Sequence, residues 1–307
     1  MLEVKKPIIN RIFLKYFRKE PAEIISFFCA SFSIIILLLM LIFIAKEGFQ
    51  AFSTFGLDFI IGQRWETNEH LFGAFPLIYG SIMVVSGALA LAIPIGVATA
   101  IFISEVLPFS IRDIIKSIIE LLASIPSIIY GFIGLVYLVP RIALVFGISS
   151  GTVALTASIL LSIMIVPTII SVSGEILSAV PKEYKEAALA LGATRWQMIR
   201  SVVIPLAKSG ILASIMLGFG RAIGETVAVL MVAGNVAMVP TPPWNFLSPV
   251  YPLTAVIAMQ MGEAAVGSLE YSALFGLGLI LFIVAFIVNT AADLIIKKEI
   301  RSGGRRK

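Results

Sequence analysis

Long uncharged stretches alternate with shorter polar segments along this chain of 307 residues. The uncharged or nearly uncharged stretches cover residues 24–45, 74–104, 121–140, 151–174, 209–239 and 271–292. Each is long enough to supply the ~20 apolar residues that a helix needs to cross the hydrocarbon core of a bilayer. The pattern therefore predicts an all-α protein, a polytopic bundle of six transmembrane helices.

The composition agrees with this pattern. Hydrophobic residues make up 59% of the chain and charged residues 13%, whereas about 25% of an ordinary soluble domain is charged. A water-soluble fold could not bury so much apolar surface. The single Cys29 and the single His70 provide neither a disulfide framework nor a metal site, so we expect no metal and no cofactor.

The polar segments complete the predicted organisation. Residues 1–23 are basic and resemble a signal peptide, but the apolar run that follows is too long for one and no small-x-small cleavage site comes after it. We therefore expect a retained first span and one integral domain over residues 24–296. Residues 46–72 form a predicted loop outside the bilayer, residues 251–261 a short apolar segment on the outer face, and residues 297–307 a basic tail.

The basic residues indicate which side of the membrane holds the termini. Of 23 lysines and arginines, six precede residue 21, two lie within 104–117, five within 175–208, and six follow residue 293. The opposite side holds only Lys46, Arg64 and Arg141. Because basic residues favour cytoplasmic loops, both termini are predicted to be cytoplasmic. The net charge of +5 is then a sign of membrane topology, not of nucleic-acid binding.

The longest predicted cytoplasmic loop, residues 178–207, contains a helix, a turn and a second helix. Its first helix, about 183–191, consists of good helix formers, and Gly192 can adopt the left-handed conformation that ends a helix. The loop contains Glu186-Ala187-Ala188, then three residues, Gly192, nine residues, and Val202-x-Ile204-Pro205.

This spacing resembles the EAA loop of permeases of bacterial ATP-binding cassette (ABC) importers. In that family the loop docks in a groove of the ATPase subunit and turns nucleotide-driven motion into rotation of the spans. The resemblance implies a type I ABC-importer permease fold, with Glu186, Ala187, Ala188 and Gly192 as coupling residues; the alternative is an ordinary amphipathic loop. No G-x-x-x-x-G-K-[ST] phosphate loop occurs in the sequence, so we expect ATP hydrolysis by partner subunits and no enzyme activity here.

The fifth apolar stretch carries two charges. Arg221 and Glu225 are four residues apart, where a continuous helix would bring them together as an ion pair that offsets the cost of charge in a bilayer. Gly220 and Gly224 form a small-x-x-x-small pattern that lets a neighbouring helix pack closely. We interpret Arg221 as attracting an anion along a pathway, with Glu225 holding it in place and preventing tight trapping. The alternative is a pair that only fixes helix packing.

The same stretch shows a resemblance to a particular group of ABC-importer permeases. Residues 220–226, Gly-Arg-Ala-Ile-Gly-Glu-Thr, and residues 228–235 are similar to phosphate permeases of the PstC type, and residues 72–81 and 125–134 agree with them. The resemblance implies an inner-membrane permease subunit for inorganic phosphate. It also implies a second permease chain of the PstA type, ATPase subunits of the PstB type and an external phosphate-binding protein as partners.

Two other functions remain open. A permease for another oxyanion, such as molybdate, tungstate or sulfate, would suit the same arginine. An ion-coupled secondary transporter or a membrane enzyme would need further relay or catalytic groups in the bilayer, where only Arg221 and Glu225 are convincingly placed. Glu120, just before the third stretch, is interpreted as a carboxylate at the cytoplasmic interface, with a pathway role as the alternative.

Overall fold

The computed structural model describes residues 21–304, most of which are helical. Within these residues six helices are long and apolar enough to cross a membrane. We name them spans 1 to 6: Ile24–Phe55, Phe75–Val106, Ser127–Phe146, Ala154–Ser178, Arg195–Gly224 and Leu269–Ala291. The predicted all-α bundle of six spans is confirmed.

Span 1 belongs to a helix, Pro21–Phe55, that continues well past its predicted end at residue 45. The first part of the predicted outer loop is therefore helical. The rest of that loop holds a short helix, Asp58–Ile61, and a two-stranded antiparallel sheet in which Trp65–Glu66 pairs with Leu71–Phe72. The predicted basic N-terminal segment lies almost wholly outside the described residues.

Contacts with span 6 explain the extra length of span 1. The Ser272 hydroxyl donates to the Glu47 carbonyl oxygen at 2.6 Å and accepts from the Ala51 amide at 3.0 Å. Both contacts lie beyond the apolar run and hold this part of the helix against span 6. The helix ends at Phe55, directly before Gly56, whose φ of +56° is left-handed. The helix that contains span 6 runs from Leu269 to Gly304, and most of the predicted tail therefore continues as helix.

Span 3 begins later than predicted, because an amphipathic helix, Phe109–Ser124, precedes it. Pro126 separates the two helices, since its ring disfavours helical backbone at the preceding Ile125, which is extended with a ψ of 129°. Glu120 thus lies exposed on the amphipathic helix and not at the opening of span 3. Span 3 itself consists of Ser127–Ile133, a π-helical segment Gly134–Leu138, and Val139–Phe146.

Span 5 ends earlier than predicted. Its parts are Arg195–Met198, a π-helical segment Ile199–Val203, and Ile204–Gly224. The backbone is then extended at Glu225, and a separate short helix follows at Val227–Val232, which we call the half-helix. The prediction of one continuous span over residues 209–239 is therefore wrong.

Spans 2 and 4 form the centre of the bundle. Span 2 is the helix Phe75–Ile101 continued by a π-helical segment, Phe102–Val106, and its side chains pack on those of span 4 and the half-helix. A second hydrophobic cluster surrounds the helix Leu253–Gln260, which packs on spans 2 and 6 and which we call the buried helix. The sequence analysis placed this segment on the outer face of the membrane, and in the structure its residues 253–256 are buried against the chain's own helices, beside the hairpin.

Candidate functional site

The EAA loop contains the predicted helix and turn. Its first helix, Lys182–Ala190, is named the EAA helix here. Gly192 has a φ of +84°, and its amide donates to the Leu189 carbonyl at 3.0 Å while the Ala193 amide donates to the Ala188 carbonyl at 3.2 Å. These two bonds make a Schellman motif, in which the left-handed residue satisfies the last carbonyls of the helix.

The helix of span 5 begins directly after this turn. The Thr194 hydroxyl accepts from the Gln197 amide at 3.3 Å, and the Gln197 side chain accepts from the Thr194 amide at 2.8 Å. This reciprocal capping box fixes the start of the second helix. The sequence analysis missed it, although Thr-x-x-Gln at this spacing is a local pattern that could have been found.

The two faces of the EAA helix have different surroundings. Glu186 and Ala187 are exposed, and the exposed fraction of Leu191 at the helix end is 89%. Ala188 is half-buried and packs on a hydrophobic cluster of its own chain that includes Ile103. The exposed face is therefore free to meet a partner, whereas the small side chain of Ala188 permits close packing within this chain.

One ion pair links the EAA helix to span 2. The Lys185 Nζ atom lies 2.7 Å from the Glu105 Oε1 atom, and the exposed fractions of the two side chains are 18% and 5%. The sequence analysis missed this pair. Glu105 directly follows the second apolar stretch, but no local pattern connects it with a lysine so far along the chain.

Arg221 joins three helices near the centre of the bundle. Its Nη1 atom donates to the Thr168 hydroxyl of span 4 at 2.9 Å, and its Nη2 atom donates to the Ala123 carbonyl at 3.2 Å. Ala123 lies in the last turn of the amphipathic helix, where carbonyls lack helical partners. The guanidinium thus caps that helix end, which favours positive charge.

The half-buried guanidinium lies beside the middle of span 4 and has no carboxylate partner within the described residues. Thr168 is roughly 15 Å along span 4 from its end at Ser178, at about 1.5 Å per residue, close to the middle of the 25-residue helix. Among the described residues, no Asp or Glu oxygen lies within 4.0 Å of Arg221. Its positive charge is therefore stabilised by neutral oxygens alone.

Glu225 does not pair with Arg221, so the predicted ion pair is wrong. Span 5 ends at Gly224, and a four-residue spacing aligns side chains only within a continuous helix. The Glu225 Oε1 atom instead accepts from the amides of Thr226 at 3.2 Å and Ala228 at 3.3 Å, at the start of the half-helix. The Glu225 carbonyl accepts from the Thr254 hydroxyl of the buried helix at 2.9 Å.

Gly220 and Gly224 face open space. A Cβ atom built on either glycine would meet no atom of the described chain within 4 Å. The predicted close helix contact is therefore not made within the described residues, and a contact with a second chain stays a prediction.

Glu120, with Lys116 and Glu175, lines a small cavity of about 70 Å³ between the amphipathic helix and span 4.

A match between this sequence and a family of known proteins identifies the class of protein. Residues 92–301 match the family described as "Binding-protein-dependent transport system inner membrane component". This match covers more than half of the chain, from span 2 through the EAA loop to span 6. The chain belongs to this family.

Individual relatives agree. The chain is 38% identical to "Probable ABC transporter permease protein YqgH" of Bacillus subtilis, over 84% of each protein. It is 34% identical to "Phosphate transport system permease protein PstC" of Haemophilus influenzae, over 99% of this chain and 100% of that protein. A PstC protein of Mesorhizobium japonicum is 37% identical over 83% of each.

Solved structures support the fold. One chain of the MetNI methionine ABC transporter in an inward-facing conformation superposes with a TM-score of 0.54 at 19% identity, over 74% of this chain and 94% of that one. One chain of a bacterial ABC transporter for alginate import superposes with a TM-score of 0.58 at 15% identity, over 94% and 99%. The fold is that of type I ABC-importer permeases.

The chain is thus a multi-pass inner-membrane permease subunit of an ABC transporter, not an enzyme. Its family works with ATPase subunits, which hydrolyse ATP, and with a substrate-binding protein. The EAA loop, which sequence spacing identified, is present as an ordered helix–turn–helix with an exposed face.

Proposed function

We propose that this chain is the membrane-spanning permease subunit of an ATP-driven, binding-protein-dependent importer of inorganic phosphate. It forms the translocation pathway with a second permease chain. The proposal depends on the position of Arg221. Its guanidinium puts a positive charge at mid-depth in the bundle, and within the described residues no carboxylate pairs with it.

The physical reason is the cost of such a charge. A charged side chain at the centre of a bilayer costs at least ~2.5 kcal/mol, and residues of this kind mark ion or substrate pathways. Two neutral oxygens satisfy part of the guanidinium, but its net charge remains. A passing anion would supply the missing charge, and a guanidinium matches the paired oxygens of phosphate.

Phosphate is favoured over other oxyanions by similarity. The relatives named for phosphate transport align with most of this chain at 33–38% identity. A permease for molybdate, tungstate or sulfate is the second candidate, since Arg221 would attract any of these anions and the binding protein would select among them.

Glu225 has an indirect part in this pathway. Its carboxylate caps the half-helix and its carbonyl bonds to the buried helix, so it holds open the break in span 5 four residues after Arg221. The break exposes backbone groups at membrane depth, an arrangement that occurs where a segment lines a pathway or packs within protein.

Partners follow from the exposed surfaces. Glu186, Ala187 and Gly192 on the exposed side of the EAA loop contact an ATPase subunit of the PstB type. Gly220 and Gly224 face a second permease chain of the PstA type, and an external phosphate-binding protein delivers the anion. The basic residues beside the EAA loop and at both ends of the chain support a cytoplasmic location for these regions.

Uptake into vesicles tests the proposal. Vesicles that contain this chain with its co-encoded partners should accumulate labelled phosphate only with ATP, and excess molybdate or sulfate should compete weakly. If another oxyanion is carried, the second candidate is correct. Phosphate uptake that does not depend on ATP would contradict the importer mechanism itself.

A further inference from the structure

The Lys185–Glu105 ion pair has no place in the function proposed so far. Glu105 is a carboxylate whose side chain is 5% exposed, and within the described residues its ion-pair partner is Lys185. Removing one member of a buried pair leaves an uncompensated charge. Such a pair therefore resists separation of the two elements that carry it.

The pair joins the EAA helix directly to the end of span 2, beside a hydrophobic cluster that contains side chains of span 2 and span 5. Lys185 lies on the EAA helix, one turn before Ala188, which packs on the same chain, while Glu186 and Ala187 face outward. One face of the helix is thus fixed to the bundle and the other is free for a partner.

Glu105 lies in the π-helical end of span 2, and span 2 reaches the break in span 5 at its other end. The Ser81 hydroxyl of span 2 accepts from the Leu253 amide at 2.8 Å, in the buried helix. The next residue, Thr254, donates to the Glu225 carbonyl at the break. Span 2 therefore connects the EAA helix with the segment next to Arg221 through directed bonds at both ends.

We infer that the Lys185–Glu105 ion pair is a coupling device: it makes span 2 follow the EAA helix and so transmits movement of the ATPase to the break beside Arg221. Lys185 and Glu105 are positioning residues, because neither touches the transported anion. This inference rests on the proposed function, since it needs an ATPase that moves the EAA helix.

Charge reversal in the complete reconstituted transporter tests this inference. Lys185→Glu and Glu105→Lys should each lower the amount of phosphate imported per ATP hydrolysed, because each puts two like charges at the site of the buried pair. The complex should still co-purify and hydrolyse ATP. The double variant Lys185→Glu/Glu105→Lys restores the pair and should recover most of the ratio, and Lys185→Arg should keep it.

Lys46→Glu is the control, because Lys46 is an exposed lysine on span 1, outside the EAA loop and its proposed docking face. It should leave the ratio unchanged. The inference is overturned if the single reversals keep the wild-type ratio, if the double variant is as impaired as they are, or if the single reversals release the ATPase subunits, which would show a purely structural role.

A second measurement, the stimulation of ATP hydrolysis by loaded binding protein, tests this inference separately from the proposed function. That readout does not depend on which anion is carried. Import of another oxyanion by the wild-type complex would refute the assignment of phosphate as the substrate. Loss of stimulation in both single reversals, with its return in the double variant, would still support the ion pair as a coupling device.

Discussion

Arg221 and Glu225 carry opposite charges four residues apart, yet their side chains bind different parts of the molecule. The arginine caps the end of the amphipathic helix and bonds to Thr168 of span 4. The glutamate caps the half-helix. At the scale of the residue, the site is therefore an arginine beside a break in a helix, and the carboxylate of Glu225 is not its partner. Uptake should respond differently when Arg221 or Glu225 is replaced by an uncharged residue.

Arg221→Gln should abolish ATP-dependent uptake while the complex still assembles. Glutamine can keep a bond to Thr168 or Ala123 but removes the charge that attracts an anion. Arg221→Lys keeps the charge but not the planar fork, so we expect a partial loss of about tenfold or more in uptake rate. Vesicle uptake together with co-purification measures both.

Arg141→Gln is the control for Arg221→Gln, since Arg141 is an exposed arginine at the far end of span 3. It should transport normally. If Arg221→Gln instead dissociates the complex, then the alternative of a residue that only fixes helix packing is correct.

Glu225→Gln should keep uptake within about threefold of the wild type, because an amide oxygen can still accept from the two amides at the start of the half-helix. Glu225→Leu removes the cap and should lower uptake strongly. The comparison of the two uptake rates is decisive: a loss in Glu225→Gln equal to that in Glu225→Leu would mean that the negative charge itself is required.

At the scale of the element, the EAA loop owes its shape to local bonds. The Schellman motif at Gly192 ends the first helix and the capping box at Thr194 starts the second. No neighbouring atom would touch a side chain at Gly192. A substitution there therefore acts through backbone conformation and not through a clash.

Gly192→Val should uncouple transport while the chain stays inserted. A left-handed φ costs about 1–2 kcal/mol for an ordinary residue and is a severe outlier for a β-branched one, so the turn should rearrange. Gly192→Asn is the matched variant, because asparagine tolerates this conformation. Uptake and ATP hydrolysis measured together check the prediction, and normal coupling in Gly192→Val would count against the docking role of this loop.

At the scale of the whole molecule, six spans put the start of span 1 and the end of span 6 on one side, the side of the EAA loop. The hairpin Trp65–Glu66/Leu71–Phe72 and the buried helix lie towards the other end. Under the proposed function the ATPase and the binding protein approach opposite ends of the bundle, and a signal between them crosses its full length.

Cysteine labelling tests this orientation. Because Cys29 is the only cysteine, Cys29→Ser gives a background without thiols. A membrane-impermeant maleimide added to intact spheroplasts should label Glu69→Cys in the hairpin, and it should label Glu183→Cys on the EAA helix only after permeabilisation. The reverse pattern of labelling would refute cytoplasmic termini.

The sequence by itself determined the class of the protein, the number of spans and the turn at Gly192. Each of these depends on a local property: a bilayer demands a certain length of apolar residues, and a left-handed turn favours glycine at one position. The same local rules misplaced the end of span 1, the start of span 3 and the end of span 5. Span 1 continues along Ser272 of span 6, Pro126 separates span 3 from the amphipathic helix, and span 5 stops before Glu225, whose carbonyl binds the buried helix.

Only the tertiary structure decided which groups meet. The four-residue rule that predicted an Arg221–Glu225 pair assumes a continuous helix, and the break at Glu225 removes that condition. The partners of Arg221 and the Lys185–Glu105 pair come from elements far apart in sequence, brought together by packing of spans 2, 4 and 5. A local sequence pattern predicts the structure of one helix or turn. It cannot predict a side-chain contact between two helices, because that contact forms only when the helices pack together.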